Sequence, residues 1–211
     1  MAGGVRLIPA WAPWAALCAL AAGGALIAPA FDPALLRWQP ELALAQPWRS
    51  VSAAWVHLSP LHLGANLLGT ALVLALGVSA GCGRRAALAW ALAWPLTHLA
   101  LLAQPALARY GGLSGVLHAA VAVAAWQLLR GDQGRRRAIG AALALGLLLK
   151  LWLEAPWRGP LRLLPGWDLA IAPLAHASGV AAGWLCALAC GVGGSADAAR
   201  RAAVTWANRG P

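Results

Sequence analysis

Charged side chains are scarce in this 211-residue chain: they make up 10% of it, and only six are Asp or Glu. A soluble domain of this length needs far more polar surface to cover its core, so the composition excludes an ordinary globular protein. Cysteines are few (Cys18, Cys82, Cys186 and Cys190), with no CxxC pair and no metal-ligand spacing to a His. Neither a metal nor another cofactor is expected, and three of the four fall in apolar runs, where they read as small membrane-buried residues. No internal repeat breaks the chain. The net charge is +10, but the cations sit in short clusters between apolar runs and form no single basic face, which argues against a nucleic-acid partner.

What the sequence has in abundance is apolar length: 61% of residues are hydrophobic and the mean hydropathy is +0.68. Because a bilayer core takes about 20 apolar residues of helix, the pattern predicts an all-α polytopic membrane protein. Six runs stand out, at 11–30, 61–81, 86–104, 113–129, 138–153 and 170–192, the fifth being short. They predict a six-helix membrane domain over 1–193 and a short basic tail over 194–211. The breaks at 81–85 and 130–137 are compact and polar, whereas 31–60 and 154–169 are longer and rich in Pro, Trp and Arg.

Six spans place both termini on one side. That side carries Arg6, Arg84, Arg85, Arg130, Arg135, Arg136, Arg137, Arg200, Arg201 and Arg209 against two Asp, while the other side carries six cations against four carboxylates. The positive-inside rule makes the terminal side cytoplasmic, and a bacterial inner membrane is the expected location. Arg6, the first run and Ala28-Pro29-Ala30 also have the outline of a cleavable signal peptide, although Pro inside such a site disfavours cleavage.

Polar side chains inside a bilayer are costly, so each one is a candidate for function. Spans two, four and six run inward, and residues early in each lie near the outer face. Ser114 precedes Arg130 by 16 residues, which puts it roughly 24 Å above the cytoplasmic boundary at about 1.5 Å per residue. The same reckoning gives roughly 22 Å for His176 and roughly 27 Å for Asn66, with His62 one turn higher. Four polar residues from three helices thus converge on one depth. A Ser hydroxyl becomes a nucleophile when a neighbouring base takes its proton, and His176 is at the level to do so. His62 and Asn66 are i, i+4 on one face and suit the donors of an oxyanion site; Ser114 stands at a helix start, where backbone N–H groups favour negative charge. Spans two, four and six hold no carboxylate to orient His176, so a Ser-His dyad is expected. Gly112 frees the backbone before Ser114, Gly115 admits a neighbouring helix, and Gly179 and Gly183 form a GxxxG face. Lys150 and Glu154, also i, i+4, read as a mutually neutralising pair. His57 reads as a loop stabiliser, and His98 as structural.

The segments YGGLSGVLH (110–118) and AHASGVAAG (175–183) resemble the GxSG and AHxxGxxxG motifs of rhomboid proteases, and WRSVSAAWVHLSPLHLGAN (48–66) resembles their Trp-Arg loop followed by HxxxxHxxxN. The resemblance implies a rhomboid-like bundle, Ser114 as nucleophile, His176 as base, and His62, Asn66 and the Ser114 N–H as the oxyanion site. Two positions depart from the pattern. Ala119 replaces the last Gly of GxSGxxxG, and His118 stands where many rhomboids carry a Tyr stacked on the catalytic His. The combination YxGLSGxLH with KxxxE (Lys150, Glu154) resembles the rhombosortase subfamily. That implies a transmembrane protein substrate with a C-terminal Gly-Gly-type sorting tail. The alternatives are a general rhomboid protease with other substrates, an inactive rhomboid that holds membrane clients, and a small transporter. A transporter needs a polar path through the bilayer, whereas the polar groups here gather in the outer half.

Overall fold

The computed structural model describes residues 8–132 and 134–193, so Arg6 and the expected tail at 194–211 lie outside the described residues. The described residues are helical, with no strand. Helix α1 (Ala12–Ile27) continues into a 3-10 turn over Ala28–Ala30. A long loop follows, holding the one-turn helices α2 (Pro33–Leu36) and α3 (Arg49–Ser52). Then come α4 (Pro60–Ala80), α5 (Arg84–Leu99), α6 (Ser114–Leu129), α7 (Gly134–Glu154) and α8 (Pro173–Ala189).

Three helical segments, Ala12–Ala30, Pro60–Ala80 and Arg84–Ala103, are long and apolar enough to cross a membrane. Helices α6 and α8 are equally apolar but shorter, at 16 and 17 residues. The fifth run is longer than its apolar content predicts. Helix α7 has 21 residues, because Arg135–Arg137 and the Lys150–Glu154 end are helical as well. The Arg136 guanidinium anchors its start by donating to the Ala80 carbonyl. The sixth run starts later than 170, because Ile171 pairs with Arg162 in an isolated bridge and Pro173 then takes the first helical turn.

The bundle is built around α6, which is buried on nearly all sides and packs against α4, α5, α7 and α8. A helix apolar all round belongs in an interior. Its buried surface is mostly small: Gly115, Ala119, Ala120, Ala122, Ala124 and Ala125. Without a hydrophobic drive between helices in lipid, close packing of small residues and interhelical hydrogen bonds hold the bundle together. Indole N–H groups supply several of those bonds by donating to backbone carbonyls: Trp14 to Val73 (3.1 Å), Trp90 to Val116 (2.9 Å) and Trp94 to Val51 (3.0 Å). Many of the larger aliphatic residues face outward instead, among them Leu68, Leu145, Leu149 and Leu185. An outward leucine surface over a small-residue interior suits lipid surroundings.

Arg49 staples the first loop. Although only 3% exposed, its guanidinium donates to the carbonyls of Ala34 and Arg37 (2.7 Å each) and to Gln46 Oε1 (2.6 Å). Ser52 adds a bond to the Leu36 carbonyl. The loop is thereby held against α5, where His98 Nδ1 lies 2.6 Å from the Ser50 carbonyl oxygen. That carbonyl is the partner His98 lacked in the sequence.

Candidate active site

Ser114 is the first residue of α6, and two features place it there. Gly112 adopts φ +146°, a conformation that suits glycine, and its N–H donates to the Ala53 carbonyl at 2.9 Å. The chain then turns into the helix with Ser114 N–H in the first turn, outside the helical ladder. On α8, Pro173 opens the helix and His176 follows within its first turn. The two side chains meet: Ser114 Oγ lies 2.9 Å from His176 Nε2.

That meeting depends on how closely α6 and α8 cross. A methyl group at Gly115 would lie 2.6 Å from the Ala175 carbonyl oxygen, and one at Gly183 would lie 2.5 Å from that of Ala119. At Gly179 it would run into the Gly115 carbonyl. The three glycines therefore let backbone touch backbone immediately below the Ser-His pair, and Ala119 is small enough to take the fourth place in the crossing.

Around this pair the expectation of an unaided dyad needs correcting. Glu154, the last residue of α7, places Oε2 2.7 Å from His176 Nδ1. Its other oxygen, Oε1, accepts from Lys150 Nζ. Glu154 lies at the end of the fifth apolar run, outside the second, fourth and sixth runs that carry the other site residues. Helix α7 ends beside the start of α8, so its last residue reaches the level of the Ser114–His176 pair. Lys150 and Glu154 do pair, as their spacing implied, but the pair also reaches His176. Just past Glu154 the helix stops at Ala155, whose φ is +48°, a left-handed conformation unusual for a residue with a side chain.

His118 lies one turn below Ser114. Its ring stacks on that of His176 with centroids 4.3 Å apart and planes 16° apart, and its Nδ1 lies 2.7 Å from the Ser114 carbonyl oxygen. His62 and Asn66 come from the start of α4, which Ser59 caps by accepting from the His62 N–H at 3.0 Å. The Asn66 amide donates to the His62 carbonyl at 3.1 Å, which occupies one of its two N–H groups. The His62 ring lies against Gly112, and a Cβ there would be 3.0 Å from its Nε2. His57 packs edge-on to His62 (4.8 Å between centroids) with Nδ1 3.0 Å from the Trp55 carbonyl oxygen. Burial lowers the His57 pKa, partly offset by that bond.

Tyr110, the first residue of the YxGLSGxLH pattern, also belongs to the site, a role its place in the sequence does not announce. Its hydroxyl donates to the Gly112 carbonyl (3.1 Å), its backbone pairs with Trp38 of the first loop, and burial pushes the phenol up to about 12, so it remains a neutral donor.

These groups line one end of a cavity of about 640 Å³. Ser114, His176, His118, His62, Asn66 and Glu154 supply the polar end, while Leu72, Leu76, Leu143 and Leu147 of α4 and α7 wall the apolar remainder. No group of three or more His, Cys, Asp or Glu able to hold a metal occurs among the described residues. A hydroxyl and an imidazole in hydrogen-bond contact, facing an apolar slot between helices, are the equipment of acyl transfer on a lipophilic substrate.

The family model of the rhomboid domain matches residues 44–192, well over half of the chain. The chain belongs to the rhomboid family, the family of intramembrane serine proteases. No curated protein gives a match.

Proposed function

We propose that the protein is an active intramembrane serine endopeptidase of six membrane spans, in which Ser114 is the nucleophile and His176 the general base. The observation that carries this reading is the 2.9 Å contact between Ser114 Oγ and His176 Nε2 at the polar end of an apolar cavity. In this reading His176 takes the Ser114 proton as Oγ attacks the scissile carbonyl. The Ser114 N–H, His62 and Asn66 stabilise the oxyanion, and the imidazolium then protonates the leaving amine. Water, deprotonated by the same imidazole, releases the acyl group.

The cluster of Arg84, Arg85, Arg130 and Arg135–Arg137 supports an inner-membrane orientation with cytoplasmic termini, which opens the site near the periplasmic face. The substrate is a protein's transmembrane segment that enters the cavity from the bilayer. The YxGLSGxLH and KxxxE pattern supports the rhombosortase subfamily and hence substrates with a C-terminal Gly-Gly-type tail.

Two measurements test this. A fluorophosphonate probe labels the purified full chain and leaves Ser114→Ala unlabelled; equal labelling of both would sink the serine-protease reading and favour a client-holding rhomboid. Co-expression with Gly-Gly-tailed reporters yields a Ser114-dependent cleavage product. Cleavage only of reporters without such a tail would move the chain to the general rhomboid proteases.

A further inference from the structure

The contact between Glu154 and His176 leads past a two-residue mechanism. We propose that Glu154 is a positioning residue for His176, and that Lys150 fixes which oxygen of Glu154 faces the imidazole. This rests on the protease reading above and extends its Ser-His pair by two residues.

Glu154 is 4% exposed, so its carboxylate is withdrawn from water and its oxygens need donors. It has two, from different directions: Lys150 Nζ on Oε1 and His176 Nδ1 on Oε2. A carboxylate only accepts, so the hydrogen of the 2.7 Å bond sits on His176 Nδ1. In the neutral ring Nε2 is then unprotonated and directs its lone pair at Ser114 Oγ, as a general base requires. The ring's remaining freedom is removed by His118, which lies flat against it. Glu154 thus sets the tautomer and the rotation of the ring, His118 sets its plane, and the negative charge of Glu154 stabilises the imidazolium formed during attack.

The role of Lys150 follows from its donor inventory. An ammonium offers hydrogens and accepts none. Its side chain is 45% exposed, leaving its charge hydrated while one hydrogen is committed to Oε1. Were Glu154 an amide, Lys150 would hold the amide oxygen on its own side and turn the NH2 group toward His176 Nδ1. The NH2 would donate to Nδ1, the ring hydrogen would move to Nε2, and Ser114 would face a donor instead of a base. Removing Lys150 from that variant frees the amide to flip, which returns its oxygen to Nδ1–H.

The experiment is fluorophosphonate inactivation of the full-length protein in detergent, resolving the maximal inactivation rate from the probe's apparent affinity. Glu154→Gln keeps the shape of the site and its thermal unfolding midpoint, yet lowers the maximal rate about 10³–10⁴-fold with apparent affinity unchanged, as expected for a base in the wrong tautomer. The Lys150→Met/Glu154→Gln double variant recovers tenfold or more over Glu154→Gln. Lys150→Met alone loses less than Glu154→Gln. A residue that merely held α7 in place gives the opposite order, with the isosteric Gln mild and the double variant worst. Wild-type inactivation by Glu154→Gln, or a double variant no faster than it, overturns the inference. If Glu154→Gln does not fold, nitrogen-15 spectra of the wild-type imidazoles decide: His176 carries its hydrogen on Nδ1 at neutral pH, and a hydrogen on Nε2 refutes the assignment. Ser114→Ala separates the two levels. Should it inactivate like wild type, the protease reading falls; should it stay inert while Glu154→Gln reacts normally, only the inference about Glu154 falls.

Discussion

The imidazoles of His118 and His176 lie face to face, 4.3 Å between centroids and 16° from parallel. The two residues sit on different helices, α6 and α8, and the stack joins those helices at the level of Ser114. The His118 ring is held in place by its Nδ1, which lies 2.7 Å from the Ser114 carbonyl oxygen. That carbonyl accepts, so Nδ1 of His118 carries a hydrogen and the ring is anchored at both ends, by a bond on one side and a stack on the other.

The role of His118 is therefore to support His176. His118→Tyr retains an aromatic face and is expected to keep activity within about tenfold of wild type, the span of one 1.4 kcal/mol increment. His118→Ala removes stack and anchor together and is expected to lose more, in maximal rate and not in substrate affinity. Steady-state kinetics on all three proteins decides the matter, and equal rates would take His118 out of the site's support.

Ser114→Ala removes one hydroxyl from a helix start and leaves the packing beneath it intact, so expression and membrane insertion stay normal while cleavage is abolished. His176→Ala is expected to be comparably severe. Because the two act as one unit, the double variant is expected to be no worse than either single one. Additive losses in a fluorophosphonate or cleavage assay would show that they act separately.

The helix crossing below the pair gives a test of stability. Gly179→Ala drives a methyl into the Gly115 carbonyl, and overpacking of this kind costs about 1–3 kcal/mol. A lower thermal midpoint in detergent is expected, along with lower activity as Ser114 and His176 separate. Gly146→Ala is the control: a methyl there meets nothing within 4 Å, and replacing a mid-helix glycine is expected to be neutral or mildly stabilising. Equal midpoints for the two variants would contradict the close crossing.

Why some of this was readable in the sequence and some was not has a physical basis. Depth along a helix follows from counting residues, so Ser114, His176, His62 and Asn66 were assigned to one level, and one cavity in the structure is lined by all four. Rotation about a helix axis and the order of helices around a bundle are not periodic in the sequence. The turn of α7 toward His176 therefore became visible only in the structure, and with it the contact of Glu154. Tyr110 illustrates the same limit for loops. Its role comes from pairing with Trp38, 72 positions away, which no local pattern announces. The length of α7 was underestimated because an apolar count stops at the arginines, whereas helical hydrogen bonding does not.

Orientation is open to chemical labelling. In a background lacking the four native cysteines, a cysteine at Gly159 in the loop after α7 is expected to react with an impermeant thiol reagent added from outside. One at Gly134, at the other end of α7, is expected to react only after the membrane is opened. Both positions have room for the new side chain, so neither substitution disturbs the fold. The reverse pattern would place the site at the cytoplasmic face and invert the orientation.

Asn66 separates oxyanion binding from architecture. Its amide has two hydrogens, and the structure commits one to the His62 carbonyl within the same helix. The second is the candidate donor to the oxyanion, on a residue that is nearly buried and lines the cavity beside Ser114. A donor aimed at the developing negative charge is worth more in the transition state than toward the resting carbonyl, so its loss should appear in kcat and leave KM nearly unchanged. Asn66→Ala is accordingly expected to lower kcat about 10²–10³-fold, less than the loss on removing Ser114 or His176. Asn66→Asp is expected to be at least as damaging, since a carboxylate donates nothing and repels the oxyanion. Thermal unfolding in detergent supplies the second axis. The bond to His62 lies within a helix that Ser59 and Pro60 already start, so both variants should unfold within a few degrees of wild type. Wild-type kcat in Asn66→Ala would remove Asn66 from the oxyanion site. A loss as deep as that of Ser114→Ala, with a large fall in the unfolding temperature, would assign it to holding the start of α4.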